Sequence, residues 1–303
     1  MIEFRSRRVD KSGTPILSDA EIDVFAHDVL RDYKPDLLRE PGKIRFDHFL
    51  ESYLEVGLEF HDIYNENPNH QILGATAFQD ERLRVFDRER MRVASIPVAA
   101  WTVIIDNSVM RPGKEGLALF TGLHESGHIM LHSGVYANGC ADQLSLFEDA
   151  PLPLVTCYYG NNELSPATER QGITRFCDFD FAPRGAESNR EFIENFAASA
   201  TRKRSPAEWR EHHADYFAAA LAMPNATFKP AVNQLLREND IWKGKIITGI
   251  DEDLDYLAKY FLPEQISEIY GVSKRAAFVK LCKTGFVIDK ETHRQRELQV
   301  SFY

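Results

Sequence analysis

Four cysteines in 303 residues, none of them in a C-x-x-C pair, argue against a disulfide scaffold and against a cysteine-built zinc ribbon. No apolar run approaches the ~20 residues that cross a bilayer. The opening MIEFRSRRVDKSG also lacks the apolar stretch of a signal peptide, so a cytoplasmic protein with no membrane partner is expected. Positive charge is scarce as well: 36 Lys+Arg against 46 Asp+Glu give a formal charge of -10. That balance disfavours sequence-independent attraction of the whole molecule to DNA or to an anionic surface. What the chain does have is a globular composition, 44% hydrophobic and 27% charged, at a length that supports one large or two modest domains.

Ser18-Asp-Ala-Glu21 is a capping box, and Ile22, Phe25, Ala26, Val29 and Leu30 follow at the i, i+3, i+4, i+7, i+8 spacing of an amphipathic helix. Phe46, Phe49, Leu50, Tyr53 and Leu54 mark a second, so residues 1–70 read as an N-terminal helical region. ILGATAF (72–78), LRVF (83–86) and WTVIID (101–106) are short apolar runs with polar boundaries, the mark of a small antiparallel sheet. Helical spacing returns over 114–133 with Leu117, Phe120, Leu123, Gly127, Met130 and Leu131. From about 134 to 204 the pattern dissolves into Pro-, Gly-, Asn- and aromatic-rich text, with one helix expected near EFIENFAASA. Ser205-Pro-Ala-Glu208, a capping box with proline at the first helical position, opens a helix that must stop before Pro224. These boundaries predict a core over 71–230 carrying a long insert at 134–204, followed by a helical module over 231–303.

Inside the 114–133 helix, His124, Glu125 and His128 form H-E-x-x-H. Histidines at i and i+4 project from one helix face about one turn apart, close enough to share one Zn2+ ion, and Glu125 lies beside them as a general base. Zinc held by three protein ligands polarises carbonyls and acidifies water, the chemistry of peptide hydrolysis. His132 continues the i+4 series but is eight residues from His124, about 12 Å along the axis, too far for the same ion. It reads as a core histidine or one that supports a ligand. The best third ligand is Glu211 on the helix capped by Ser205, with Asp215 one turn on as the acceptor for a ligand histidine's far nitrogen; Ala218 and Ala222 continue that face inward. His212 and His213 are candidate oxyanion or substrate contacts, set against the plainer reading of histidines on a helix surface.

Taken together, TVIIDNS, FTGLHESGHIMLH and EWREHHADYFAAALAMP resemble the ImmA/IrrE metallopeptidases of bacteria and their mobile elements. That pattern comprises a hydrophobic strand, an H-E-x-G-H helix ending in Leu-His, and a later helix with Glu-x-x-Ala-Asp/Asn-x-Phe-Ala-x-x-Leu-x-Met-Pro. Here it is matched at His124, Glu125, Gly127, His128, His132, Glu211, Ala214, Asp215, Phe217, Ala218, Leu221, Met223 and Pro224, and it anchors roughly residues 70–133 and 205–224. The resemblance implies zinc-dependent, site-specific cleavage of a transcriptional repressor in a mobile element or a stress response. The chain departs from compact members in the length of the connection between Leu131 and Ser205.

That insert is expected to be a substrate-selecting lid or exosite, because it lacks sustained periodicity and joins two helices that must meet at one ion. Its Cys140, Cys157 and Cys177, spaced 17 and 20 apart, fit no metal-site signature. Near the C-terminus, QISEIYGVSKRAAFVKLCKTGF is shaped like a helix-turn-helix, with Ser273 as an N-cap. Seven Lys/Arg against five Asp/Glu over 264–303 favour packing or repressor docking over DNA binding. The fold class expected is α+β: a zincin-like metallopeptidase core with N-terminal helices and a C-terminal helix-turn-helix-like module. The alternative function is a non-catalytic zinc-containing regulator that binds a repressor or DNA. Glu125 favours the enzyme, since zinc can be held without it.

Overall fold

The computed structural model describes residues 2–65, 70–136, 155–160 and 204–294, and these form an α+β arrangement. Helix α1 (Asp19–Tyr33) opens on the expected capping box, in which Ser18 N donates to Glu21 Oε2 at 2.8 Å and Glu21 N to Ser18 Oγ at 3.3 Å. Its buried face is Ile22, Phe25, Ala26, Val29 and Leu30, the stripe that the spacing predicts. The second N-terminal helix, α2 (Phe46–His48), continues as one wide π-type turn over Phe49–Tyr53 and buries Phe49 and Leu50.

Six strands follow: β1 (Gly57–His61), β2 (His70–Ala77), β3 (Glu81–Asp87), β4 (Arg92–Val98), β5 (Thr102–Asp106) and, after helix α3 (Glu115–Tyr136), β6 (Val155–Gly160). The expected antiparallel sheet needs correction. The main sheet is mixed, in the order β1-β5-β2-β6, with β1 parallel to β5, while β3 and β4 form a separate hairpin. Among the strands that escaped sequence reading, β1 and β4 did so for physical reasons. Strand β1 (GLEFH) is a short, half-exposed edge whose burial does not alternate, and β4 (RVASIPV) carries Pro97, which is tolerated only because a two-stranded hairpin is all edge. Part of the insert also joins the sheet, since Val155–Gly160 pairs antiparallel with β2. Residues 137–154 and 161–203, including Cys140, Cys177 and the helix expected near 191–200, lie outside the described residues.

Strand β5 is buried along its whole length because the sheet is covered on both faces. Val103 and Ile105 join the main core, which also holds side chains of α1 and α3, while Ile104 joins Ala75, Ala77, Leu83, Val85 and Val98 beneath the hairpin. The register of β2 against β6 slips between Ile72 and Gly74, a bulge that turns Gly74 and Thr76 toward α3.

The remaining helices are α4 (Pro206–Ala222), α5 (Asn225–Glu238), α6 (Glu252–Tyr256), α7 (Leu262–Tyr270) and α8 (Lys274–Lys283), with a short parallel pair β7 (Ile246–Thr248) and β8 (Val287–Asp289). Helix α7 ends at Gly271 with φ +72°, a left-handed cap that glycine adopts without strain, and Ser273 caps α8 as expected. The module shares its core with the rest of the chain: Ile266, Tyr270, Ala277 and Leu281 belong to the same buried cluster as Val29, Val103 and Phe217. Its first contact with α3 is close, for a Cβ at Gly116 would lie 2.5 Å from Ser273 N. Among the described residues no helix is long and apolar enough to cross a membrane.

Helices α3 and α4 lie against each other, and Gly127 sets their separation. A Cβ there would sit 2.8 Å from the Ala214 Cα, a backbone atom that cannot swing aside. Gly127→Ala is therefore expected to cost ~1–3 kcal/mol of stability, as overpacking does. Denaturant titration tests this; wild-type stability would show that the helices have slack.

Candidate metal centre

Two helices supply the site, and each is held by its own local chemistry. Helix α3 is almost wholly buried from Ala118 to His132, so its histidines face protein on every side. Helix α4 starts at Ser205, whose side chain accepts from Glu208 N while the Glu208 carboxylate accepts from Ser205 N, with Pro206 in the first turn. Arg210, buried on α4, donates through Nε to the Tyr136 hydroxyl at 3.0 Å and through Nη1 to Thr14 Oγ1 at 2.7 Å. That clamp ties α4 to the end of α3 and to the N-terminal segment one residue before Glu211. Sequence reading missed Arg210, Tyr136 and Thr14; only a buried arginine inside an otherwise small-residue helix hints at the clamp.

His124, His128 and Glu211 converge, with one ligand atom from each lying within 4.8 Å of the others. The two Nε2 atoms face each other at 3.0 Å, and Glu211 reaches both, Oε2 to His124 Nε2 at 3.4 Å and Oε1 to His128 Nε2 at 3.6 Å. The histidines have no exposed surface, and Glu211 keeps 16% of its side chain accessible. Far nitrogens are engaged as well. His124 Nδ1 contacts Asp215 Oδ1 at 2.8 Å, and His128 Nδ1 contacts His132 Nδ1 at 3.2 Å. A metal-ligating histidine needs such an acceptor behind it to fix its tautomer.

The electrostatics fit a cation at this point. Burial alone disfavours a charged His124, yet hydrogen bonds and charge from Asp215 and Glu211 outweigh it and hold the ring well above its ordinary pKa. Two imidazoles and a carboxylate suit several first-row metals, so this buried group could hold a metal ion whose identity the donor set leaves open.

Glu125 points at β2, where its Oε2 accepts from Thr76 Oγ1 at 2.5 Å. Its other oxygen, Oε1, is buried without a hydrogen-bond partner, and a Cβ on Gly74 would lie only 2.9 Å from it. Burial pushes the Glu125 carboxyl up to about 7, with Glu211 adding to the rise and His124 and Thr76 opposing it. Thr76 and Gly74 were not singled out in the sequence, although a glycine inside an apolar strand is a cue for a close approach.

The residues expected near the site divide by direction. Glu211 joins the histidine pair, Asp215 lies behind His124, and His132 supports His128 rather than the group itself. His213 is buried against His132, its Nδ1 3.4 Å from His132 Nε2, and against the tilted ring of Trp209. His212 differs: its Nε2 bonds Asp19 Oδ1 of α1 at 2.8 Å. Adjacent helix positions diverge by about 100°, so 212 cannot share the face of 211 and 215. None of the protein-family models or curated proteins compared with this chain matches it.

Proposed function

We propose that the chain is a zinc-dependent endopeptidase of the zincin type, akin to the ImmA/IrrE metallopeptidases, that cleaves a specific protein substrate, a transcriptional repressor. The observation that carries this reading is Glu125: a buried carboxylate with one oxygen unpartnered, within electrostatic reach of His124 and Glu211. A buried, half-satisfied carboxylate costs stability, and a protein that only held a metal or a partner would have no chemical use for it.

His124, His128 and Glu211 would hold the zinc, with Asp215 and His132 orienting the two rings. When bound, zinc supplies Lewis acidity toward a peptide carbonyl and acidifies water to near-neutral pH. Glu125 Oε1 takes the proton as water adds to the scissile carbonyl and returns it to the departing amine, while Thr76 holds the other oxygen in place. Burial raises this carboxyl above the usual carboxylate range, the direction that strengthens it as a proton acceptor.

The C-terminal module fits a packing or substrate-docking role better than a DNA reader. Ala276–Leu281 of α8 are buried, Lys274 pairs with Glu264 at 2.6 Å, and the Lys280 ammonium is buried near the rings of Tyr216 and Phe228. The test is metal analysis of the purified full chain together with cleavage of a panel of purified helix-turn-helix repressors. One zinc per chain and a chelator-sensitive single cut are expected. A chain that takes up no zinc would defeat the reading.

A further inference from the structure

The two ligand histidines are backed unequally. Behind His124 stands a carboxylate, Asp215; behind His128 stands another imidazole, and behind that a third. This asymmetry fixes where protons sit. If His128 Nε2 is the ligand atom, as its place 3.0 Å from His124 Nε2 and 3.6 Å from Glu211 Oε1 indicates, the ring's proton is on Nδ1. That proton faces His132 Nδ1 at 3.2 Å. A nitrogen that accepts carries no hydrogen, so the His132 proton is on Nε2 and faces His213 Nδ1 at 3.4 Å. His213 then accepts at Nδ1 and keeps its own proton on Nε2, which is buried without a partner.

From this we infer that His132 and His213 are positioning residues for the metal, forming a neutral histidine relay that sets the tautomer and ring angle of His128. The inference rests on the metal reading above and deepens it. Both rings are essentially inaccessible, at 0% and 1% exposure. They stack at 5.6 Å with 25° between planes, and Trp209 leans on His213 at 5.8 Å and 32°, so neither ring is free to turn. The direction of donation admits no alternative while the metal is bound. A His132 that donated from Nδ1 would force the His128 proton onto Nε2 and remove the lone pair the metal needs. In effect, His213 holds His132 in the accepting state that His128 requires.

The experiment uses the full-length chain with Zn2+ as the probe, affinity being read by chelator competition and the ligand field by Co2+ absorption. His132→Leu is expected to weaken zinc binding ~10- to 100-fold, the scale for losing a metal ligand's hydrogen-bond partner. His213→Leu, one link further out, should weaken it by about 3- to 10-fold. Because His213 acts through His132, the double Leu variant should bind no worse than His132→Leu alone. His132→Gln supplies an amide oxygen toward His128 and an amide N–H toward His213, so it should restore affinity to within about threefold of wild type. A purely structural role would not distinguish Gln from Leu in this way. Nitrogen-15 spectra of the zinc-loaded wild type add a readout that requires no variant: His132 and His213 should both be Nε2–H tautomers. Wild-type affinity in both Leu variants, a Gln variant as weak as Leu, or an Nδ1–H tautomer at His132 would each overturn the relay while leaving the metal reading intact. A wild-type chain that binds no Zn2+ would take both down.

Discussion

Glu125→Gln is expected to take up zinc as tightly as the wild type and to cleave its substrate ~10²- to 10⁴-fold more slowly, the contribution of a general base. The substitution preserves shape, and its amide oxygen can still accept from Thr76, whose hydroxyl now bonds Glu125 Oε2 at 2.5 Å. What disappears is the proton acceptor at Oε1. Stability of the metal-free protein should move in the opposite direction, and this separates the role from mere disruption. The carboxyl is pushed up to about 7 by burial, from an ordinary value of 4.5. An acid raised in the folded state binds its proton more tightly there, so stability falls as pH rises from 4.5 through 7. Gln carries no such penalty. At pH 8 the metal-free variant should therefore be more stable than wild type by up to ~3 kcal/mol, with the gap closing toward pH 4.5. Thermal melts across that range, run beside the cleavage assay, give both signs. A variant that cleaves at the wild-type rate would remove Glu125 from the mechanism.

How much of this was readable in the sequence depends on whether a residue's direction follows from one helix alone. His124, His128, Glu211 and Asp215 were readable because i, i+4 spacing fixes a shared face and both helices carry clear start signals. The separation of His132 from the group followed from helix rise for the same reason. Direction was not readable where it depended on tertiary neighbours. His212 and His213 look alike in EHHAD, yet one bonds α1 and the other packs beneath His132. Thr76 faces Glu125 because the bulge at Leu73 resets the alternation of β2, and Gly74 in ILGATAF is a cue for a bulge that does not say where the register slips. The sheet order was hidden more deeply, since the parallel pairing of β1 with β5 is a property of the whole chain path.

The carboxylates on α4 should fail in different ways when removed, and that difference is the sharpest test of the site's construction. Glu211 spans both histidine Nε2 atoms, with 3.4 Å to one and 3.6 Å to the other, and no other carboxylate among the described residues joins the group. Glu211→Ala is thus expected to lose zinc outright on dialysis, because two neutral imidazoles are left to hold a dication in a buried site. Asp215 makes its contact on the far side of His124, 2.8 Å from Nδ1, and touches no ligand position. Asp215→Ala should keep zinc with affinity lowered ~10- to 100-fold. Asp215→Asn should fall between that variant and wild type, since an amide oxygen accepts the Nδ1 proton but brings no charge. The metal-free proteins offer a second reading. The His124 ring is held well above its ordinary pKa against the cost of burial by Asp215 and Glu211 together. Either alanine variant should therefore release that proton at lower pH than wild type, which histidine titration by NMR can follow. Full zinc occupancy in Glu211→Ala would mean that the third ligand comes from elsewhere in the chain. Equal zinc loss in both alanine variants would mean that Asp215 holds the metal as directly as Glu211 does.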